Sequence, residues 1–347
     1  MQQQSWWSKL IFYLNIVFAV ATFVAYTLPF LAPKAFPFLS VLTLVLPFFL
    51  MINFLFFLYW LLQLKRQMIL SGILLLLGIS FLNRFYKFSE TNLPEEPNDI
   101  KLMSYNVRLF NLYEWLPNDD VPFQISNLLL DEQPDILCLQ DYSPNDDVNV
   151  NMFKYKLVKL EGDRLKFGQA IYSKFRIVNS GEIEFPNSYN SVIYADIVKD
   201  KDTLRVYSMH LESVKISADI NQEMDEKRSK FIFNNISKAF RQQQYQSELI
   251  KAHCASCHYP KIICGDLNNS AFSYVYRTIK GDLKDAFEEA GTGFGKSYNY
   301  SYYPARIDFI FVENFIEVKQ FMSLDYFIQS DHFPQIARLK INATTNL

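Results

Sequence analysis

The sequence predicts an α/β domain built on mixed β-sheets, preceded by a bundle of about three transmembrane helices. Two observations carry this. Residues 1–87 hold three long apolar runs with very little charge. From Ile100 onward, short buried strands alternate with hairpins as well as helical stretches, so the sheets are mixed rather than purely parallel.

The amino-terminal segments come first. Leu10 to Ala32 is 23 residues without a charge, interrupted only by Asn15, Thr22, Thr27 and Pro29. At about 1.5 Å per residue it spans the roughly 30 Å core of a bilayer. Phe36 to Leu62 is a second uncharged run, with Tyr59 and Trp60 as interfacial anchors near its end. Met68 to Leu82 is shorter and needs its flank as far as Tyr86 to cross. A cleaved signal peptide is disfavoured, because the first core is too long and no small-x-small site follows it. With three spans and Lys65-Arg66 inside, the chain is a multi-pass cell-membrane protein whose soluble part is extracytoplasmic. If the third segment does not cross, that part is cytoplasmic. Ser89 to Asn98 is polar, carries two prolines and reads as a linker, 88–99.

The expected domain runs from 100 to 343. Ile100 to Val107 is a strand ending near Asn106, and Pro122 to Asp131 an amphipathic helix. Pro134 to Asp141 is a buried strand and Gly168 to Ser173 a short one. Val192–Val198 and Leu204–Met209 form a hairpin around Lys199-Asp-Lys-Asp202. A long polar helix covers roughly Gln222 to His253. Ala305 to Val312 and Gln335 to Leu339 are the last strands. Setting aside the six basic and three acidic residues of 1–96 leaves 28 Lys+Arg against 33 Asp+Glu, a net of −5. That balance disfavours a nucleic-acid backbone as the main partner, since phosphate tracking rests on a basic face.

The chemistry concentrates in Lys261-Ile-Ile-Cys-Gly-Asp-Leu-Asn-Asn269. An apolar strand is broken by a glycine, and Asp266 and Asn268 then project to one side of extended chain. A hard oxygen ligand or base beside a neutral donor and acceptor suits a divalent cation and a phosphate oxygen. Asn106, Asp141, His210, Asp266 and Asn268 all fall at carboxyl ends of expected strands, where α/β sheets place ligand sites.

Taken in order, Ser-Tyr-Asn106, Leu-Gln-Asp141, Ser-Met-His210, Gly-Asp266-Leu-Asn268, Arg-Ile-Asp308 and Ser-Asp331-His332 resemble the endonuclease/exonuclease/phosphatase superfamily of metal-dependent phosphodiesterases and phosphatases. The resemblance covers residues 100–340 and implies a four-layer α/β sandwich, two mixed sheets flanked by helices. It further implies Mg²⁺, with Mn²⁺ as a substitute, held by Asn106, Asp141 and Asp331. His210 would donate to a phosphate oxygen. Asp266 would orient or deprotonate water, Asn268 would hold water or phosphate, and Asp308 would fix the imidazole of His332. Whether Asp266 or His332 is the base stays open. Arg108 shares the parity of Asn106 and could reach a substrate phosphate. One departure stands out: Asp141 replaces the usual glutamate and is one methylene shorter. The implied activity is hydrolysis of a phosphodiester or phosphomonoester, on a lipid-derived or small substrate. A membrane-anchored nuclease and a catalytically silent envelope scaffold are the alternatives, and oligomeric state is not readable.

Two further features compete. His253-Cys-Ala-Ser-Cys257-His258 contains a Cys-x-x-Cys-His run, a pattern shared with haem attachment and zinc sites. No second ligand cluster accompanies it, so neither haem nor zinc is expected, and a Cys254–Cys257 disulfide is the better use if the domain is exported. Residues 227–251 carry Lys227, Arg228, Lys230, Lys238, Arg241 and Lys251, a face for solvent, anionic lipid or a polyanionic substrate.

Overall fold

The computed structural model describes residues 6–117, 120–186, 188–214, 225–301 and 303–342. Its amino-terminal helices are α1 (Trp6–Ala25), α2 (Pro37–Val41), α3 (Leu46–Leu62), α4 (Met68–Leu77) and α5 (Ile79–Phe85). Two apolar stretches, Trp6–Phe30 and Pro37–Leu62, are long enough to cross a membrane, and α4 with α5 makes a third candidate. The third is not one straight helix: it bends by 71° at Gly78. The Tyr26 hydroxyl fills the space beside Gly78, where a Cβ would come within 2.1 Å of it, and it donates to the Leu74 carbonyl at 2.9 Å.

The polar interruptions in these runs are what joins the helices. Asn15, Thr22, Asn53, Ser71 and Trp60 are all fully buried. Asn15 Nδ2 donates to Ser71 Oγ at 2.7 Å, Trp60 Nε1 to Asn15 Oδ1 at 3.1 Å, and Asn53 Nδ2 to Thr22 Oγ1 at 2.6 Å. In hydrocarbon such bonds bind helices together because side chains there have no water to fall back on.

The soluble part contains β1 (Ile100–Asn106), α6 (Val121–Glu132), β2 (Ile136–Tyr142), β3 (Tyr155–Glu161), β4 (Phe167–Ser173), β5 (Arg176–Glu184), β6 (Ser191–Lys199) and β7 (Asp202–His210). It continues with α7 (Glu226–Ala255), β8 (Lys261–Asp266), α8 (Tyr274–Lys280), β9 (Lys284–Asp285), α9 (Ala286–Ala290), β10 (Asp308–Val312), β11 (Ile316–Ser323) and β12 (Gln335–Ile341). One sheet has the order β11-β12-β1-β2-β4-β3 and the other β5-β6-β7-β8-β10-β9. Only β1–β2 and β7–β8 are parallel pairs; the other described pairs are antiparallel. The sheets share a core of Ile100, Leu102, Ile136, Cys138, Leu204, Val206, Ile262, Cys264, Ile310 and Val312. Helix α6 covers the outer face of the first sheet, with Ile125 and Leu129 against Met103 and Leu137. Helices α7 and α8 cover the second, with Ile250 and Val275 against Tyr207 and Ile263. Four layers result, as the sequence predicts.

Several boundaries differ from expectation. The glycine at 265 does not break its strand: β8 runs through to Asp266. Strand β10 begins at Asp308 rather than Ala305, which instead bridges to Tyr298. The start expected for the long helix, Gln222 to Met224, lies outside the described residues, as does residue 343 at the expected domain end. Strands β3, β5, β9 and β11 are absent from the sequence reading: β3 and β5 have polar, half-exposed faces with no apolar run, β9 is two residues long, and a bulge between Val318 and Gln320 breaks the alternation of β11.

The stretch read as a linker lies along the sheet. Leu93 N donates to Lys319 O at 2.9 Å, and Lys199 Nζ donates to Asn98 O and Asp99 O. Lys319, 2% exposed, meets Glu96 and Asp99, each at 3.0 Å.

Candidate active site

The inner faces of the two sheets change character along their length. Below lie the aliphatic residues of the shared core. One pleat repeat nearer the strand ends come Ser104, Gln140, Gln169 and Ser208, all buried. Gln140 Nε2 donates to Ser208 Oγ at 2.9 Å and to Ser104 Oγ at 3.3 Å, while Ser208 Oγ donates to Gln169 Oε1 at 3.0 Å. The two bonds of Ser208 cross from sheet to sheet, the Gln140–Ser104 bond stays within the first sheet, and together they form a polar floor. The next inward positions are Asn106, His210, Asp266 and Asp308. The sequence reading missed the floor, although its signal was present: polar residues at the inward parity of otherwise apolar strands.

Asp266 is at the centre and fully buried. Its Oδ2 lies 3.2 Å from Asn106 Nδ2, 3.6 Å from His332 Nε2 and 3.7 Å from His210 Nε2. Its Oδ1 accepts the Asn268 backbone N–H at 2.7 Å. Asp308 arrives beside it because β10 runs antiparallel to β8 with Asp308 opposite Asp266. Ser297 Oγ accepts the backbone N–H of Asp308, and Asp308 Oδ2 meets His332 Nδ1 at 2.9 Å. Asn268 sits at φ +50°, and its Nδ2 donates to Leu211 O at 2.9 Å, tying the β8 and β7 ends together.

Asp141 reaches this group by a backbone irregularity. It follows the inward Gln140, so a regular pleat would send it outward. The β2–β4 register shifts between Leu139 and Tyr142, and Asp141 has φ +44°. A bulge of this kind re-aims a side chain, and Asp141 Oδ1 comes to 3.4 Å from His210 Nδ1. Its side chain remains 38% exposed, open to the cleft. Arg108 and Asp331 lie at the rim. Arg108 Nη1 pairs with Asp331 Oδ2 at 3.0 Å, and its guanidinium stacks on Trp115 with 4.2 Å to the ring centroid. Asp331 Oδ1 also accepts from Ser330 Oγ.

Burial, with the nearby Asp308, pushes the Asp266 carboxyl up to about 6. Burial opposes a charge on His332, yet Asp308 and Asp266 outweigh it and raise the imidazole to about 10. The donor set suits a hard divalent cation: Asp141 is a solvent-open carboxylate, and Asn106 Oδ1 accepts one bond, from Arg108 N at 3.1 Å. Among the described residues, Asp266, Asp308 and His332 also offer three ligand atoms within 4.8 Å of one another.

Away from the site, Cys254 and Cys257 are free thiols, so the disulfide considered from sequence is not formed. His253 Nδ1 meets the Tyr207 hydroxyl at 3.1 Å, and burial pushes the Cys254 thiol up to about 11.

Residues 103–332 match the model of the endonuclease/exonuclease/phosphatase family, and residues 8–85 match a domain of unknown function. No curated protein matches the chain. Among solved structures, the human Nocturnin catalytic domain with bound sulfate superposes with a TM-score of 0.54 at 16% identity, over 74% of this chain and 97% of that one. An endonuclease/exonuclease/phosphatase from Beutenbergia cavernae DSM 12333 gives 0.51 at 16% identity, over 71% and 72%. A humanized D. rerio TDP2 gives 0.50 at 15%, over 70% and 99%. At such identity these neighbours speak for the fold alone. With its family match spanning most of the chain and its strand ends converging on Asp266, this chain belongs to the endonuclease/exonuclease/phosphatase family.

Proposed function

We propose that the protein is a membrane-tethered, Mg²⁺-dependent phosphoesterase that hydrolyses a lipid-derived or small phosphorylated substrate by in-line attack of water. The observation that carries this is the position of Asp266 Oδ2, within 3.7 Å of Asn106, His210 and His332 side-chain nitrogens. Asn106 and Asp141 would hold the cation; Asp331 would have to release Arg108 to join them. When bound, the cation supplies positive charge on the phosphate oxygens and lowers the pKa of water. Asp266 orients or deprotonates the attacking water, and Asn268 places that water or the phosphate. His210 donates to a phosphate oxygen. His332, held by Asp308, stabilises charge developing on the phosphate, and Arg108 binds the substrate phosphate at the rim. The acidic balance of 97–347 favours this reading over a nuclease.

Chelation tests the metal. Purified protein treated with EDTA should lose all turnover of an aryl phosphodiester, and Mg²⁺ should restore it; turnover indifferent to EDTA would overturn the assignment.

For topology, Lys65 Nζ lies 3.5 Å from Ser8 Oγ, so the amino terminus and the Lys65-Arg66 turn share one end of the bundle. Ala25, Leu28, Leu46 and Phe81 cluster with Phe272 of the soluble domain at the other. This supports three crossings and a domain boundary near residues 88–99. With Lys65-Arg66 cytoplasmic, the catalytic domain is outside. Protease added to intact cells should degrade the domain; full protection would place it inside.

A further inference from the structure

We infer that the amino-terminal half of α7 is an interfacial helix that lies on the bilayer surface beside the catalytic cleft. The inference rests on the tether of the proposed function and adds a docking surface to it.

The middle of α7 is fixed at the level of the site. Gln243 Nε2 donates to Glu212 O at 2.7 Å and to Asn268 O at 3.1 Å, and Glu212 N donates to Gln246 Oε1 at 3.0 Å. The carboxyl-terminal half then descends the outer face of the second sheet, where Ile250 packs on Tyr207 and Ile263. From Gln243 back to Glu226 the helix extends about 25 Å at the rise of an α-helix. That half runs toward the amino-terminal helices, away from the Ile250 end that packs on the second sheet.

It meets the tether instead. Phe233 packs on Phe38 of α2 with ring centroids 5.3 Å apart, and Lys34 N donates to Gln244 Oε1 at 2.8 Å. Residue 34 lies between the two apolar stretches Trp6–Phe30 and Pro37–Leu62, and residue 38 is the second residue of the latter, at the end of the bundle facing the domain. The membrane surface therefore passes beside this half of α7. Its chemistry matches that place. Phe38 is 60% and Phe231 62% exposed. Between Asp225 and Arg241 the helix carries Lys227, Arg228, Lys230, Lys238 and Arg241 against Asp225 and Glu226, in a domain that is acidic overall. Phe231 lies nearly opposite Phe233 around the helix, on the exposed face that also carries Lys227 and Lys238; an aromatic ring set among long basic side chains suits an anionic headgroup layer, where lysine stems snorkel toward the surface. The consequence for the site is a cleft held at headgroup height, where a phosphoester need not leave the membrane to reach Asp266.

The test uses full-length protein in nanodiscs of phosphatidylcholine with added phosphatidylserine, with and without brominated acyl chains. The Phe231→Trp variant, corrected for the native tryptophans, should give blue-shifted emission quenched about twofold by brominated lipid. Phe123→Trp, on exposed α6 over the other sheet, should stay red-shifted and unquenched. A triple Lys227→Glu, Arg228→Glu, Lys230→Glu variant should lose the dependence of that quenching on phosphatidylserine. Red-shifted emission from residue 231 that lipid does not quench would overturn the inference. So would emission shielded from an aqueous quencher but blind to brominated lipid, which would indicate a protein partner. Aryl phosphodiester turnover, measured in parallel, reports separately on the proposed function. Quenching without turnover would sink the enzyme and leave the docking surface standing.

Discussion

Asp266→Asn should lower turnover of an aryl phosphodiester by about 10³-fold, the scale of a lost acid–base group, while leaving the protein folded. The amide keeps an acceptor for the Asn268 N–H and removes the charge and the basic oxygen at the centre of the site, at the cost of the hydrogen bond from Asn106 Nδ2, which then faces an NH2 group. The stability effect has a definite sign. The folded carboxyl is raised from 3.8 to about 6, first by burial and then by Asp308. Its ionised form is therefore less stable in the fold than in the unfolded chain. The wild-type protein bears that penalty fully at neutral pH and loses it as pH falls from about 6 toward 4. The variant should unfold at an equal or higher temperature at pH 7, with the advantage shrinking through that window. Inactivity together with a preserved or raised melting temperature marks a residue kept for chemistry at a cost in stability. Unchanged turnover would remove Asp266 from the mechanism.

Gly265→Ala should do the opposite and fail in the fold first. Gly265 sits at φ +123°, and a Cβ there would stand 2.1 Å from Met209 O and 2.9 Å from Met209 N. Those atoms belong to the backbone of the adjoining parallel strand β7, in register with Gly265, so no side-chain rotation can relieve the clash. A strained backbone and an overpacked core each cost about 1–3 kcal/mol, and here they add to about 4 kcal/mol. The separation of β7 and β8 that results would also move His210 away from Asp266. Chemical denaturation should show a large fall in midpoint, with activity lost in proportion. A variant as stable as the parent would mean that the two strands are not so closely apposed.

The motif residues were legible because inward parity and strand-end position can be counted along a sequence. Asn106, His210, Asp266 and Asp308 all obey them. What could not be counted was geometry that breaks the period. Asp141 lies on the wrong parity for the cleft and reaches it only through a bulge. Arg108 begins a run of four left-handed residues, Arg108 to Asn111, that turns its guanidinium toward Asp331 and Trp115. The kink at Gly78 was hidden for a different reason: it depends on Tyr26, a residue of another helix. The polar cluster of Asn15, Asn53 and Ser71 looks like a set of defects along a single run and becomes cohesive only when three helices meet.

The path of residues 88–99 bears on how this protein can be cut. The two family matches leave residues 86–102 to neither, which invites an expression fragment beginning at Ile100. Such a fragment would strip Glu96 and Asp99 from Lys319 and leave an ammonium group inside the sheet edge with neither of its counter-charges. It would also remove the Leu93 carbonyl and the Asn92 amide from Arg338. A soluble version should therefore start no later than Asn92, so that the strap along β11 travels with the domain it closes.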